Sequence, residues 1–229
     1  MIIAGLRPCS FIDYPGKLAA VAFTHGCNLR CRYCHNPELL EGAPPRRIEE
    51  GEILRLLDRR RGKLDGIVVT GGEPTLQPGL AAFLARVKAM GFLAKLDTNG
   101  TRPEVIEELL AARLVDFLAI DLKASEARAG WLCGLAEQSA GARRCIELAL
   151  AAGVEHEVRT TVVASVHTAA ELAALAAFTA GASRWVLQRF RPGGQLDPLA
   201  DLGAPDEAVL EHVVRSRSGA AAPRTTCRG

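Results

Sequence analysis

Three cysteines in the run Gly26-Cys27-Asn28-Leu29-Arg30-Cys31-Arg32-Tyr33-Cys34-His35-Asn36 form the group in this chain best suited to hold a metal. Their spacing, C-x3-C-x2-C, offers three thiolates on one short loop and no fourth at a matching distance. A closed tetrahedral zinc site or a fully ligated iron–sulfur cluster takes four protein ligands. Three soft ligands therefore point to a 4Fe–4S cluster with one iron left open to a substrate or cofactor. Two other readings stay open. Zinc with His35 as fourth ligand would place that ligand directly after Cys34, an awkward geometry for one tetrahedron. Three unrelated core cysteines would be bunched on a polar loop, an unusual spacing for buried thiols.

Other residue types suited to chemistry sit in short polar motifs. In Gly71-Gly72-Glu73-Pro74 the glycines permit close backbone approach to a ligand, and a carboxylate there can hold a cationic group. Gly-Gly and Pro also mark a plain turn. Asp97-Thr98-Asn99-Gly100 contains Asn-Gly, a strong turn signal, and Asp121-Leu122-Lys123 reads equally as an ion pair at a strand end. Arg159, if it faces inward, could grip a carboxylate or ribose oxygen in a bidentate way; otherwise it pairs with Glu155 or Glu157. His25 and His35 flank the cysteine loop, and His35 is a candidate for the shell around a cofactor. Trp131 and Trp185 read as packing residues.

Such motifs need a scaffold, and the hydrophobic pattern supplies one by alternating strand and helix. Strands are expected over Leu18–Thr24, Gly66–Thr70, Phe92–Leu96, Val115–Ile120, His156–Val163 and Arg184–Phe190. Helices are expected over Ile48–Arg60 and Leu76–Met90, from Pro103 onward, and over Gly141–Ala151 and Thr168–Thr179. Six strand–helix units fall short of the eight in a closed barrel. The expected class is α/β, with parallel strands, and each polar motif falls at the C-terminal end of a strand. In parallel α/β folds that is where ligands bind. One domain is expected over residues 1–215, with an N-terminal extension over 1–17 and a loose tail over 216–229.

Composition narrows the classes of partner. Lys plus Arg number 28 against 26 Asp plus Glu, a formal charge of +2, so no nucleic-acid footprint is expected. No apolar run reaches the roughly 18 residues of a membrane span, and no signal peptide is evident. A reducing cytoplasm is the expected setting. Of the seven cysteines, Cys9, Cys133, Cys145 and Cys227 show no paired spacing and are read as packing residues rather than a second cluster.

The cysteine spacing, with Tyr33 before the last cysteine and His35-Asn36 after it, resembles the radical SAM family signature. Leu6 through Asn36, including Ile12-Asp13-Tyr14-Pro15-Gly16-Lys17-Leu18, resembles activating enzymes of glycyl radical enzymes, in particular those for anaerobic ribonucleoside-triphosphate reductase. That resemblance implies a partial (β/α)6 barrel in which Cys27, Cys31 and Cys34 hold a 4Fe–4S cluster. It also implies S-adenosylmethionine as cofactor, with Tyr33, His35, Gly71, Gly72, Glu73, Asp97, Asn99, Lys123, Arg159 and Gln188 around it. Glu73 would meet the cofactor's amino group. Gln188 stands where the pyruvate formate-lyase activator has a histidine near adenine. By the same resemblance Asp97, Thr98, Asp121 and the carbonyl of Ala119 would hold a monovalent cation. The implied activity is reductive cleavage of S-adenosylmethionine and hydrogen abstraction from a glycine of a partner enzyme, with a flavodoxin- or ferredoxin-type reductant. The competing readings are an activating enzyme of another glycyl radical enzyme, a radical SAM enzyme acting on a small molecule, and a non-enzymatic iron–sulfur carrier or redox sensor.

Overall fold

The structure, a computed structural model, describes residues 1–216 and 224–228. The chain forms two compact units. The first comprises Met1–Asn28, Asn36–Thr98 and Glu104–Leu118; the second comprises Leu29–His35, Asn99–Pro103 and the chain from Ala119 onward.

In the first unit β1 (Ile3–Ser10) runs antiparallel to β2 (Ala19–Thr24). β3 (Gly66–Gly71) and β4 (Leu93–Thr98) follow in parallel, with Val68 in register with Val21 and with Lys95. Ile67, Val68 and Val69 have no exposed surface, as an unbroken apolar strand covered on both faces requires. Each such side chain contributes roughly 1.5–3 kcal/mol by leaving water. The crossovers are α1 (Glu50–Arg59) and α2 (Leu80–Ala89). Leu80, Phe83, Leu84 and Val87 of α2 recur at helical spacing and are buried together. That helix starts later than the pattern predicts, because Pro78 holds Gln77 in extended backbone after a short 3-10 turn over Pro74–Leu76. α3 (Pro103–Ala111) leads to β5 (Phe117–Asp121), and the Asp116 N–H just ahead of β5 donates to the carbonyl of Ala94 in β4.

β5 ends in the second unit, where the N–H of Leu122 donates to the carbonyl of Arg159 in β6 (Glu155–Val162). β6, β7 (Arg184–Arg189) and β8 (Arg224–Arg228) are parallel. The connecting helices are α4 (Glu126–Cys133), α5 (Gln138–Ala152), α6 (Ala169–Phe178) and α7 (Glu207–Ser216). Gly134 and Gly153 end α4 and α5 in the left-handed region that favours glycine.

The six expected strands are β2 through β7, and the α/β class with parallel strands holds. The expected extension over 1–17 contains β1. Of the expected loose tail, Ser216 closes α7 and residues 224–228 form β8, while 217–223 and 229 lie outside the described residues. Trp185 is a packing residue, fully buried with its indole N–H donating to Thr160 Oγ1 at 3.0 Å. Trp131 is not: 47% of it is exposed, because it serves as a platform under Arg32.

Candidate functional site

In the first unit the chain leaving β2 carries His25, Gly26 and Cys27. It is fixed by backbone bonds from Gly26 to Leu39 and from Cys27 to Leu40. Gln77 Nε2 donates to the His25 carbonyl at 2.7 Å. The glycines of Gly71-Gly72-Glu73 have a definite use here. A Cβ on Gly72 would stand 2.2 Å from the Gly26 carbonyl oxygen, so only glycine lets the exit of β3 lie against the cysteine loop. The N–H of Glu73 then donates to that same carbonyl at 2.8 Å.

Glu73 itself is buried. Its Oε1 accepts from Thr75 N–H at 3.1 Å, from Thr75 Oγ1 at 2.6 Å and from Thr98 Oγ1 at 2.8 Å. A carboxylate fixed by three donors is a preorganised acceptor for a cationic group. Thr98 is thus engaged with Glu73, and Asp97 is ion-paired with Lys95 Nζ.

In the second unit the segment Leu29–His35 is clamped from two sides. The N–H groups of Arg30 and Arg32 donate to the carbonyls of Cys133 and Leu132 at the end of α4. From the other side, the N–H groups of Leu196 and Asp197 donate to the carbonyls of Cys34 and Arg32. Arg32 pairs with Asp197, donates Nε to the Trp131 carbonyl at 2.9 Å and lies 4.6 Å over the Trp131 ring. His35 stacks on Phe190, with its Nε2 2.9 Å from the Arg191 carbonyl oxygen. Cys31 is buried and Cys34 half-buried. The thiol of Cys133 hydrogen-bonds with Cys31, which draws the Cys133 thiol below its usual range in spite of burial.

At the end of β5, Asp121 Oδ2 meets Lys123 Nζ at 2.8 Å and Oδ1 meets Arg159 Nε at 2.8 Å. Arg159 therefore pairs with Asp121, on the neighbouring strand. Burial opposes the charge on Asp121, but the Arg159 guanidinium and the Lys123 ammonium hold its carboxyl down at about 2. Burial opposes the charge on Lys123 too, yet Asp121 pushes its ammonium well above the usual range. Lys123 Nζ also lies 5.7 Å over the ring of Tyr33. Burial raises the Tyr33 phenol so far that it stays neutral, although Lys123 acts the other way.

Asn99 is buried and its Oδ1 accepts from the N–H and hydroxyl of Thr101, an Asx turn. Ala119 is buried in β5. Gln188 is half-buried in β7, in register with Thr161 and Arg228.

Sequence reasoning missed three parts of this arrangement. Gln138 is fully buried; its Nε2 donates to the carbonyls of Asn99 and Asp121, both at 2.7 Å, and its Oε1 accepts from the Lys123 N–H at 3.1 Å. His167 Nδ1 accepts from the Val163 N–H, so its Nε2 carries the proton and donates to the Lys123 carbonyl at 2.9 Å. Burial keeps that imidazole neutral by lowering its pKa. The third is the Arg32–Asp197 clamp. No spacing rule flags these, since each joins residues far apart in the chain.

The residues present fit an iron–sulfur cluster and its cofactor by their chemistry. Cys27, Cys31 and Cys34 are not joined in disulfides. His25 Nε2 and Tyr33 Oη, beside those cysteines, are buried polar atoms with no hydrogen-bond partner, as is His156 Nε2 on β6. Buried polar atoms of folded proteins are nearly always satisfied, and a bound group would supply the missing contacts near the cysteines. Among the described residues no group of three or more His, Cys, Asp or Glu side chains is already gathered to hold a metal ion. Also among the described residues, no helix is long and apolar enough to cross a membrane.

Comparison with known proteins gives the same direction. Residues 21–179 match the Radical SAM superfamily. A protein of Methanocaldococcus jannaschii named a putative glycyl-radical enzyme activating enzyme is 47% identical over 124 residues, 53% of this chain and 50% of that protein. The pyruvate formate-lyase-activating enzyme of Clostridium pasteurianum is 33% identical over 126 residues, 53% of this chain and 52% of that protein. The chain thus matches about half the length of these relatives. Among solved structures, SuiB of Streptococcus suis bound to its precursor peptide SuiA aligns over 91% of this chain and 48% of its own, with a TM-score of 0.69 and 15% identity. At that identity the likeness concerns the fold, an open α/β arrangement consistent with a partial barrel.

Proposed function

The chain belongs to the radical SAM superfamily, and from that premise we propose that it is the activating enzyme of a glycyl radical enzyme. The observation that carries this reading is the preorganised carboxylate of Glu73, whose N–H donates to the carbonyl of Gly26 just before Cys27, on a chain 47% identical over half its length to a relative named as an activating enzyme. Cys27, Cys31 and Cys34 would hold a 4Fe–4S cluster. When bound and reduced, such a cluster supplies the electron that cleaves S-adenosylmethionine, and the chemistry belongs to the cofactor rather than to an amino-acid base.

The protein's own part is binding, orientation and exclusion of water. Glu73 offers a buried anion for the cofactor's ammonium, and the Thr75 and Thr98 donors fix its orientation. Lys123 and Arg159 form a cationic pair on Asp121, suited to carboxylate and ribose oxygens. Tyr33 presents a neutral, buried ring and phenol next to Cys34. Gly71, Asn99, His35 and Gln188 are proposed to line the same cofactor.

The proposed substrate is a glycine of a partner protein. Anaerobic ribonucleoside-triphosphate reductase is the partner favoured by the Leu6–Asn36 resemblance, with a flavodoxin- or ferredoxin-type reductant in the cytoplasm, where thiols stay reduced. The test uses anaerobically reconstituted, reduced protein with S-adenosylmethionine. Release of 5′-deoxyadenosine is expected, together with a glycyl radical signal by electron paramagnetic resonance when the reductase is added. Cys34→Ser should lose the iron and both signals. Intact cluster with no 5′-deoxyadenosine would favour an iron–sulfur carrier. 5′-Deoxyadenosine without a radical on the reductase would sink that partner alone.

A further inference from the structure

A monovalent cation held by Asp97, Thr98, Asp121 and Ala119 is what the family resemblance implies, and the side chains around these residues argue otherwise. Lys95 lies in the middle of β4, two residues before Asp97, and the two side chains leave the strand on the same face. Lys95 is 1% exposed, its Nζ ion-pairs with Asp97 Oδ1 and lies 5.7 Å over the ring of Phe117. A buried ammonium is retained only when a carboxylate or comparable acceptor stays with it. Asp97 is that acceptor. In the other unit, Asp121 carries the two cations Lys123 and Arg159. Each carboxylate expected to ligate a dissolved ion therefore already meets a cationic side chain from its own unit. A further positive charge at either would be repelled by the cations already there, in poorly screened surroundings.

We propose that Lys95 is a built-in cation, holding Asp97 in place as the resemblance would have a dissolved monovalent ion do. Lys95 is then a positioning residue, acting through Asp97 on the end of β4. A lysine ammonium presents three donors and is covalently tethered to the strand, so it does this without exchange with solvent and at any salt composition. The inference rests on the reading of this strand end as part of the cofactor site only for its second readout below.

The experiment compares potassium chloride with choline chloride at equal ionic strength, choline being too bulky to enter a carboxylate site. Thermal unfolding is followed by circular dichroism, and S-adenosylmethionine binding by calorimetry on the anaerobically reconstituted protein. For the unaltered chain, Tm and affinity should be the same in both salts, within about twofold for affinity. Lys95→Met should bind more weakly in choline than in potassium by tenfold or more, with potassium restoring most of the loss, whereas Lys95→Arg should stay indifferent to the salt. Loss of Tm or affinity in choline by the unaltered chain overturns the proposal, and needs no variant to fold. A folded Lys95→Met that is as indifferent as the parent also overturns it, since Lys95 would then be only a core ion pair. If S-adenosylmethionine binds in neither salt, the functional reading fails, while the Tm comparison still decides on Lys95.

Discussion

Asp121 is the residue on which most electrostatics in the second unit converge. Its carboxyl sits at about 2 against an ordinary 3.8, so the unfolded chain takes up a proton that the folded chain resists. The sign follows: the contribution is complete above about pH 4 and is lost as pH falls through about 2, and its size is about 2 kcal/mol. Unfolding measured between pH 5 and pH 2 should show this slope, and Asp121→Asn should flatten it. The same variant should cost about 3 kcal/mol at pH 7, because it leaves Lys123 and Arg159 buried beside each other with no anion between them. A pH profile unchanged by the substitution would mean that solvent, not Arg159 and Lys123, neutralises this carboxylate. The presence of Asp121 and Lys123 at a strand end is legible in the sequence. Their strongest fixings, Arg159 and the amide of Gln138, are not, because a side chain reaching across 38 or 17 residues leaves no periodic trace.

At the scale of elements, the turn after β4 shows how packing overrides a local signal. Asn99-Gly100 reads as a turn, and it is one: Gly100 has φ +76°. The sequence does not reveal that a Cβ at Gly100 would stand 2.7 Å from the Cα of Ala142, or that one at Gly141 would stand 2.5 Å from the Gly100 carbonyl oxygen. The first turns of α5 sit directly on this loop, and Gln138 in the same turn holds its backbone. Gly153 at the other end of α5 has φ +64° with open space around it. Gly153→Ala should therefore cost only the backbone term, about 1 kcal/mol, and Gly100→Ala roughly 3 kcal/mol, since α5 must also move. Urea unfolding of the two variants decides this, and equal losses would show that α5 does not press on the loop. The alternating strands β2 to β7 were legible because buried parallel strands are continuous apolar runs. β1 was not, since an edge strand carrying Arg7 and Pro8 and half facing solvent has no such run.

For the molecule as a whole, the cysteine loop is divided between the two compact units, with the break after Asn28. The N–H groups of Gly26 and Cys27 are held by Leu39 and Leu40 in the first unit. Those of Arg30 and Arg32 are held by α4 in the second. Hydrogen exchange follows the unit that must open, so amides three to six residues apart should fall into two protection classes. Gly26 and Cys27 should exchange with the β2–β3 region, and Arg30 and Arg32 with α4 and β6. One shared class across the loop would mean that the units open together. This division leaves no trace in the sequence, because hydrophobic periodicity reports which face is buried and not which elements share a contact network.

The clamp on Leu29–His35 has a consequence for the order of events in making the protein. This segment is synthesised before its partners, which are Leu132 and Cys133 and then Phe190, Arg191, Leu196 and Asp197, up to 165 residues downstream. Contacts so distant in sequence form late, after the intervening chain has closed. Cys31 and Cys34 therefore leave the ribosome on a tether free at one side, and gain their final posture only when the last third of the chain has folded. Metal delivered before that moment meets loose thiols; metal delivered after it meets a finished cradle.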